Sequence, residues 1–210
     1  MSQKPTIECA PNGPYLVKGL ENLRSPKGER IATKPVTALC RCGGSANKPF
    51  CDGTHSKIGF SGEKSSTQRV DKRDNYVGRK ISIHDNRSIC AHAGHCVNEL
   101  GSVFKYGSKP WIDPDGANVD EIIETINKCP SGALSYTVEG LESRVQDREP
   151  MITVTRNGPY AVVGGIELTG QPWGQGASTE HYTLCRCSGS KNKPFCDGTH
   201  GSINFRDNQN

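Results

Sequence analysis

A cysteine-rich segment that occurs twice constrains the fold of this chain more than any other feature. Residues 40–55 and 185–200 are identical at 14 of 16 positions, at an offset of 145 residues without a gap. The repeated donors are Cys40, Cys42, Cys51 and His55 in the first copy and Cys185, Cys187, Cys196 and His200 in the second. A weaker similarity extends back to Ile7 and Ile152. The repeat therefore predicts two related domains with a third segment between them.

The chain has little apolar material from which to build a core. Leu, Ile, Val and Phe together make up 39 of 210 residues, which is under the roughly 20% below which disorder becomes a serious interpretation. The formal net charge of +4 is too small to favour disorder or a nucleic-acid-binding surface. A core this small needs a further stabiliser, and the ten cysteines are the candidates.

The compartment in which the protein is expected determines whether its cysteines form disulfides or remain free thiols. The first residues have no apolar stretch of the secretory type, and no segment approaches the ~18 apolar residues of a membrane span. We therefore expect a cytoplasmic protein that binds no membrane. Thiols in a reducing compartment favour metal or redox chemistry over structural disulfides.

Each copy of the repeat begins with the pattern of a β-hairpin. In the second copy, residues 152–155 alternate, Asn157-Gly158 are typical of a turn, and residues 160–163 return. The cysteine-bearing parts are rich in Gly, Ser, Asn, Lys and Pro, which indicates loops. We predict two β-rich domains with ligand-bearing loops, over residues 1–68 and 148–210.

The middle domain, predicted over residues 69–147, has a β–α–β pattern. Strands are predicted at 80–83 and 133–138, and the charged stretches 69–74 and 142–149 are predicted linkers. The helix between the strands has one apolar face, formed by Val119, Ile122, Ile123 and Ile126. Asn118 is its predicted N-cap with Glu121 in capping-box position, and the helix should end near Cys129-Pro130. The fold class of the whole chain is therefore small, β-rich α+β.

The repeated segment has the spacing C-x-C-x8-C-x3-H. Three thiolates and one imidazole suit a single tetrahedral zinc ion or a [2Fe–2S] cluster. Free thiols or disulfides are a third interpretation, against which the fixed position of the histidine argues. Pro49 predicts a short helical turn with Cys51 in its first turn, where free backbone N–H groups favour a thiolate.

Both segments resemble the motif of the CDGSH (NEET-type) iron–sulfur family, C-x-C-x2-[ST]-x3-P-x-C-D-G-[SAT]-H. The matching positions outside the donors include Ser45, Pro49 and Thr54, repeated as Ser190, Pro194 and Thr199. The resemblance implies a [2Fe–2S] cluster in each copy, with Cys40 and Cys42 on one iron and Cys51 and His55 on the other. Cys185, Cys187, Cys196 and His200 would repeat this arrangement.

A histidine ligand has two expected consequences. Replacing a thiolate by a neutral imidazole removes negative charge and should raise the cluster's reduction potential. The ligating nitrogen must be unprotonated, so cluster retention should fall as the pH drops. Members of the family commonly form two-cluster homodimers. We expect the two copies here to pack as a pseudo-two-fold pair within a monomer.

The middle segment resembles a divergent single-cluster ferredoxin. Cys90, Cys96 and Cys129-Pro130 match three of the ferredoxin ligand positions, and Ala93 occupies the position of the missing cysteine. Three cysteines suit a [3Fe–4S] cluster. A [4Fe–4S] cluster is the alternative if His92, His95, water or another group binds the fourth iron. A zinc ion held by the cysteines and one histidine is a further alternative.

The remaining cysteine, histidine, tryptophan and lysine side chains of interest are expected to be structural. Cys9 aligns with Val154 and should pack in a strand. His84 and His181 have no partner pattern, and Trp111 and Trp173 should pack. Lys48 and Lys193 match in the repeat and should be exposed, unless they donate to cluster sulfur or face a partner.

The sequence thus predicts a protein that carries three iron–sulfur clusters. One-electron transfer with a reductase, ferredoxin or acceptor-enzyme partner is the first hypothesis. Cluster storage, transfer to an apo-protein acceptor, or redox or pH sensing is the second, and a structural zinc protein is the third. No nucleophile–base arrangement or phosphate-binding loop is found, so we expect a carrier without a substrate site of its own.

Overall fold

The computed structural model describes residues 4–143 and 145–207. The outermost ends of the two predicted outer domains, and Arg144 in the second predicted linker, lie outside the described residues. The first outer segment contains β1 (Thr6–Cys9), β2 (Tyr15–Lys18), β3 (Leu23–Arg24), β4 (Arg30–Ile31), β5 (Val36–Leu39) and α1 (Thr54–Lys57). The middle segment contains β6 (Asp74–Val77), β7 (Ile81–Asp85), a 3₁₀ turn (Arg87–Ile89), α2 (His95–Glu99), α3 (Val119–Asn127), β8 (Leu134–Val138) and β9 (Leu141–Ser143). The second outer segment contains β10 (Met151–Val154), β11 (Tyr160–Val163), β12 (Glu167–Thr169), β13 (Tyr182–Leu184) and α4 (Thr199–Ser202).

Among these described elements, no helix has the length and apolar character needed to cross a membrane.

The predicted hairpins are confirmed in both copies of the repeat. β1 pairs antiparallel with β2, and β10 pairs in the same way with β11. Asn12 and Asn157 have positive φ angles of 45° and 51°, a conformation that asparagine tolerates better than most residues. The Asn-Gly signal therefore marks the turn in each copy.

The two outer segments exchange strands. β12 of the second copy pairs parallel with β1 of the first, where Ile7 faces Leu168. β3 of the first copy pairs parallel with β10 of the second, where Ile152 faces Leu23. These two pairings are equivalent under the 145-residue offset. The expected pseudo-two-fold pair is thus confirmed, and each copy completes the other's sheet.

The exchange creates one core that both copies share. Buried side chains of the two copies form a single apolar cluster: Ile7, Tyr15, Val17, Leu20, Leu23, Leu39, Ile152, Val154, Tyr160, Val162, Ile166, Leu168, Tyr182, Leu184 and Phe195. The rings of Tyr15 and Tyr160 meet edge to face at its centre, with centroids 6.1 Å apart. A shared core offsets the shortage of apolar residues, because neither copy has to close a core by itself.

The middle segment folds as a four-stranded antiparallel sheet with α3 packed on it. The strand order is β6-β7-β8-β9, so the two predicted strands lie side by side in the centre. α3 has the predicted capping box between Asn118 and Glu121 and buries Ile122 and Ile126. The linker predictions were partly wrong. Asp74 begins β6 and Glu142 lies in β9, because edge strands carry charged side chains that resemble a linker in composition.

Removing the hydroxyl of Tyr15 or Tyr160 should destabilise the pair of repeats. Each hydroxyl is buried and donates to the ligand loop of the other copy, Tyr15 to the carbonyl of Cys185 at 2.7 Å and Tyr160 to that of Cys40 at 2.9 Å. Tyr15→Phe and Tyr160→Phe should each lower the free energy of unfolding by roughly 1–3 kcal/mol, measured by urea titration. Tyr106→Phe is the control, since Tyr106 is 91% exposed. A loss no larger than that of the control would contradict the expectation.

Candidate metal centres

The first outer site forms where β5 ends. Cys40 and Cys42 follow the strand, and their sulfur atoms lie 3.9 Å apart. Cys51 follows Phe50, which forms a β-bridge with Leu39. His55 is the second residue of α1, and its Nδ1 lies 3.3 Å from the sulfur of Cys51. The four donors are therefore arranged as two close pairs.

The second outer site repeats this arrangement after β13. The sulfur atoms of Cys185 and Cys187 lie 3.7 Å apart, and Nδ1 of His200 lies 3.3 Å from the sulfur of Cys196. In both sites the glycine two residues after the third cysteine directs its N–H at that cysteine's sulfur, at 3.5 Å. The repeat in sequence is thus a repeat in donor geometry.

The helical turn predicted at Pro49 is wrong. Phe50 is held extended by its bridge to Leu39, so Cys51 does not lie in a helix. The helix begins later, at Thr54, after Gly53 has turned the chain at a φ of +86°. It therefore contains the histidine donor rather than the cysteine.

Residues that the donor spacing did not single out brace each ligand loop. Ser45 donates to the carbonyl of Phe50 at 2.7 Å, and Lys48 donates to the carbonyl of Ser45 at 2.6 Å. The hydroxyl of Thr54 and the N–H groups of Ala46 and Thr54 donate to the carboxylate of Asp52, and these hydrogen bonds hold its pKa low. Ser190, Lys193 and Asp197 make the same bonds in the second copy. The sequence signal for this bracing role was that each of these residues is identical in the two copies of the repeat.

Lys48 and Lys193 therefore have a role that differs from the expected one. Both are half-buried rather than exposed, and each closes the loop that carries its own site. Arg186, between two cysteine donors, is also buried and donates to the carbonyls of Gly158 and Thr155. Hydrogen bonds within the protein thus hold both ligand loops.

Burial makes these sulfur atoms costly to ionise without a cation. It raises the pKa of Cys40 and that of Cys196. Within the second pair, the hydrogen bond from Cys187 lowers the pKa of Cys185 to about 7. Burial also lowers the pKa of His200, which keeps the imidazole in the neutral form that binds metal. Iron would supply the positive charge that buried thiolates require, so this donor set fits a metal centre.

The middle site is a cavity of about 190 Å³ that collects all three predicted cysteines. Cys90 follows the 3₁₀ turn, Cys96 lies in α2 and Cys129 follows α3. Ala93 also lines the cavity. Burial raises the pKa of Cys90 to about 11 and also raises that of Cys96. Three half-buried cysteines around one cavity fit a cluster that compensates the charge of their thiolates.

The two histidines near this cavity differ in their contacts. Both His92 and His95 line it. Nδ1 of His95 lies 2.7 Å from the carboxylate of Glu99. Nε2 of His92 lies 3.3 Å from the guanidinium of Arg69, which can only donate, so Nε2 accepts. The ring of His92 points toward the second outer site, as described below.

A buried carboxylate lies next to the middle site. Asp85 ends β7, its side chain is 1% exposed, and no hydrogen bond of ordinary geometry reaches its oxygens from the described residues. The nearest cation is Arg87, whose Nε lies 3.9 Å away. Burial raises the pKa of Asp85 to about 7, and Arg87 and Trp111 offset this only in part. The burial of Asp85 is not predictable from the sequence, because no local pattern indicates it.

The remaining side chains are structural, as expected. Cys9 is half-buried against the shared core, and His84 bonds to Asn75 and Thr137. His181 is buried and bonds to Ser178 and Glu180. Trp173 packs on Tyr182 and Phe195, and Trp111 packs on Phe104.

Within the described residues, no three Cys, His, Asp or Glu side chains lie close enough together to hold a single metal ion.

Family models recognise all three parts of the chain. A model described as an iron-binding zinc finger of the CDGSH type matches residues 12–56 and 157–201. A model described as a divergent 4Fe-4S mono-cluster matches residues 76–139. Among curated proteins, the uncharacterized protein YjdI of Escherichia coli strain K12 is 46% identical over 61 residues, which are 29% of this chain and 80% of that protein. YjdI of Escherichia coli O157:H7 matches to the same extent. No solved structure matches the chain.

Fold, donor sets and family models together define an iron–sulfur protein. The chain belongs to the CDGSH-type iron-binding family, with a divergent 4Fe-4S mono-cluster domain between its two CDGSH domains.

Replacing Asp85 by Asn should stabilise the protein in a pH-dependent way. The folded-state pKa is about 7, above the ordinary value of 3.8, so wild-type stability falls as the pH rises through this window. Asp85→Asn should therefore stabilise the protein by about 2 kcal/mol at pH 5.5 and by about 4 kcal/mol at pH 8.5, measured by denaturation of the two proteins side by side.

The control for this experiment is Asp120→Asn, because Asp120 is exposed in the first turn of α3. Its effect on stability should not change between the two pH values. An equal effect of Asp85→Asn at both pH values would contradict a raised pKa.

Proposed function

We propose that this protein is a one-electron carrier with two [2Fe–2S] clusters, each bound by three cysteines and one histidine, and one [3Fe–4S] or [4Fe–4S] cluster. The observation that carries the proposal is the collection of the predicted ligands at three places in one chain, with the two outer ligand loops braced by hydrogen bonds. Braced ligand loops favour electron transfer, since a site that moves little on reduction exchanges electrons readily.

The pairing of the outer donors supports two-iron clusters. Each outer site offers one Cys–Cys pair and one Cys–His pair, at 3.9 and 3.3 Å in the first site. A [2Fe–2S] cluster takes two protein ligands on each iron. A single tetrahedral zinc ion would draw all four donors around one point. The two-and-two arrangement therefore favours the cluster over zinc.

The middle cavity supports a larger cluster. Three cysteines surround it, and Ala93 lies at the position where ferredoxins have the remaining cysteine. Three thiolates suit [3Fe–4S] directly, while a fourth, non-cysteine ligand would be needed for [4Fe–4S].

The protein's own residues would set the properties of the centres. The histidines His55 and His200 keep negative charge off the outer clusters, which raises their reduction potential. The N–H groups of Gly53 and Gly198, directed at sulfur, act in the same direction. The proposed partners are a reductase, ferredoxin or acceptor enzyme in the cytoplasm, and the chain itself would act as a monomer without a substrate of its own.

Serine variants of the cysteines should remove one cluster at a time. Cys51→Ser should lower iron and acid-labile sulfide by about two each per chain, and Cys129→Ser should remove only the middle cluster. Iron and sulfide analysis joined to EPR spectroscopy of oxidised and reduced protein checks this. Cys9→Ser is the matched control and should retain full iron and sulfide, because Cys9 packs on the core. Loss of zinc rather than iron would refute the proposal.

Replacing Ala93 by Cys should identify the middle cluster. If it is [3Fe–4S], Ala93→Cys supplies the missing thiolate, raises the iron content by about one per chain and removes the EPR signal of the oxidised [3Fe–4S] form. If it is [4Fe–4S], the iron content stays constant. Gly101→Ala, at an exposed position just after the end of α2, is the control.

Electron transfer and cluster transfer predict different kinetics with partner proteins. A carrier should exchange electrons with a reduced ferredoxin or reductase many times without losing iron. A transfer protein should pass iron and sulfide to an apo-ferredoxin within the same time. His55→Cys and His200→Cys should slow loss of the outer clusters at low pH, because thiolate binding remains after the histidine nitrogen would have been protonated. Rapid cluster transfer at neutral pH without electron exchange would favour the alternative function.

A further inference from the structure

The two outer sites have nearly identical sequences but different surroundings. Asn192, in the second ligand loop, is 7% exposed and donates to the carbonyl of Ser88 in the middle domain at 2.8 Å. Its counterpart in the first copy, Asn47, is exposed. Cys196 is 2% exposed, whereas the equivalent Cys51 is only half-buried. The middle domain thus packs against the second ligand loop.

The closest approach involves His92, from the loop that carries Cys90 and Cys96. A methyl group added at Gly198, between Cys196 and His200, would lie 2.3 Å from Cδ2 of this ring. At Gly53, the equivalent glycine of the first site, an added methyl group would meet none of the described residues within 4 Å. The imidazole of His92 therefore touches the ligand loop of one outer site, and the contact has no counterpart at the other.

Two further contacts hold His92 in this position. Its φ of +56° is in the left-handed region, which costs energy for a residue with a side chain. Arg69 fixes the outer edge of the ring at 3.3 Å and also approaches the carbonyl of Arg87 at 3.4 Å. Because Nε2 accepts from Arg69, the ring presents its Cδ2 edge to Gly198.

We propose that His92 holds the middle site and the second CDGSH site in direct contact. The middle site therefore exchanges electrons with the second CDGSH site and not with the first. This inference rests on the proposed function. One electron passes from one site to the other, so that one is oxidised and the other reduced by one electron, with no change in bonds. The electron enters from the reductase or ferredoxin partner. His92 acts as a positioning residue, since it holds the two ligand loops together.

The test is EPR spectroscopy of the full chain during a redox titration, with His55→Cys present in every sample. The added thiolate changes the spectrum of the first site and lowers its potential, so that the two outer signals can be told apart. With both sites paramagnetic, the signal of the second site should be broadened or split by the middle site. The signal of the first site should not.

Two glycine variants form a matched pair for this experiment. Gly198→Ala should displace His92 and remove the splitting from the second site. Gly53→Ala carries the same backbone strain, since the two φ angles are +85° and +86°, but it should leave the splitting intact. His92→Ala removes the ring without straining either loop and should also abolish the splitting, with iron and sulfide unchanged.

Three results would overturn the inference. The first is a splitting that persists in His92→Ala, and the second is a splitting that appears on the first site. The third is a loss of iron from the middle site in His92→Ala, which would make His92 a ligand rather than a positioning residue. A wild-type protein without iron and sulfide would refute the proposed function itself, and this outcome is distinguishable from the other three.

Discussion

Neither CDGSH copy can close its own sheet, and the rest of the structure depends on this constraint. β3 and β12 each leave their own copy and pair with the first strand of the other. Tyr15 and Tyr160 also reach into the opposite copy. Each donates a hydrogen bond from its hydroxyl to the ligand loop of that copy and so supports the loop. The sites are therefore positioned by the pair. A chain with few apolar residues obtains a sufficient core by sharing one.

The middle domain breaks this symmetry. It packs on the second ligand loop through Asn192 and His92. Two sites with 14 identical residues out of 16 consequently differ in burial and in the charges around them. Burial and nearby charge are two of the factors that set the potential of an iron–sulfur cluster, so an identical motif yields two unequal sites.

Features that depend on local interactions were predictable from the sequence. The capping box at Asn118 and Glu121, the apolar face of α3 and the Asn-Gly turns involve residues a few positions apart. The predictions that failed depended on distant partners. Pro49 predicts a helical turn that contains Cys51, but the bridge from Phe50 to Leu39 keeps the chain extended there. Parts of the two predicted linkers are edge strands in the structure, because they pair with strands that the local sequence does not reveal.

The sequence by itself determined which atoms can bind metal, since the spacing of Cys and His in the repeat and the Cys90, Cys96 and Cys129 pattern are written along the chain. It also determined that two related domains flank a different one. Only the tertiary structure decided how the donors pair, which copy supports which loop, that Asp85 is buried with its nearest cation, Arg87, 3.9 Å away, and that His92 reaches Gly198. These features arise from contacts between segments far apart in sequence, where packing geometry rather than local residue pattern selects the neighbour.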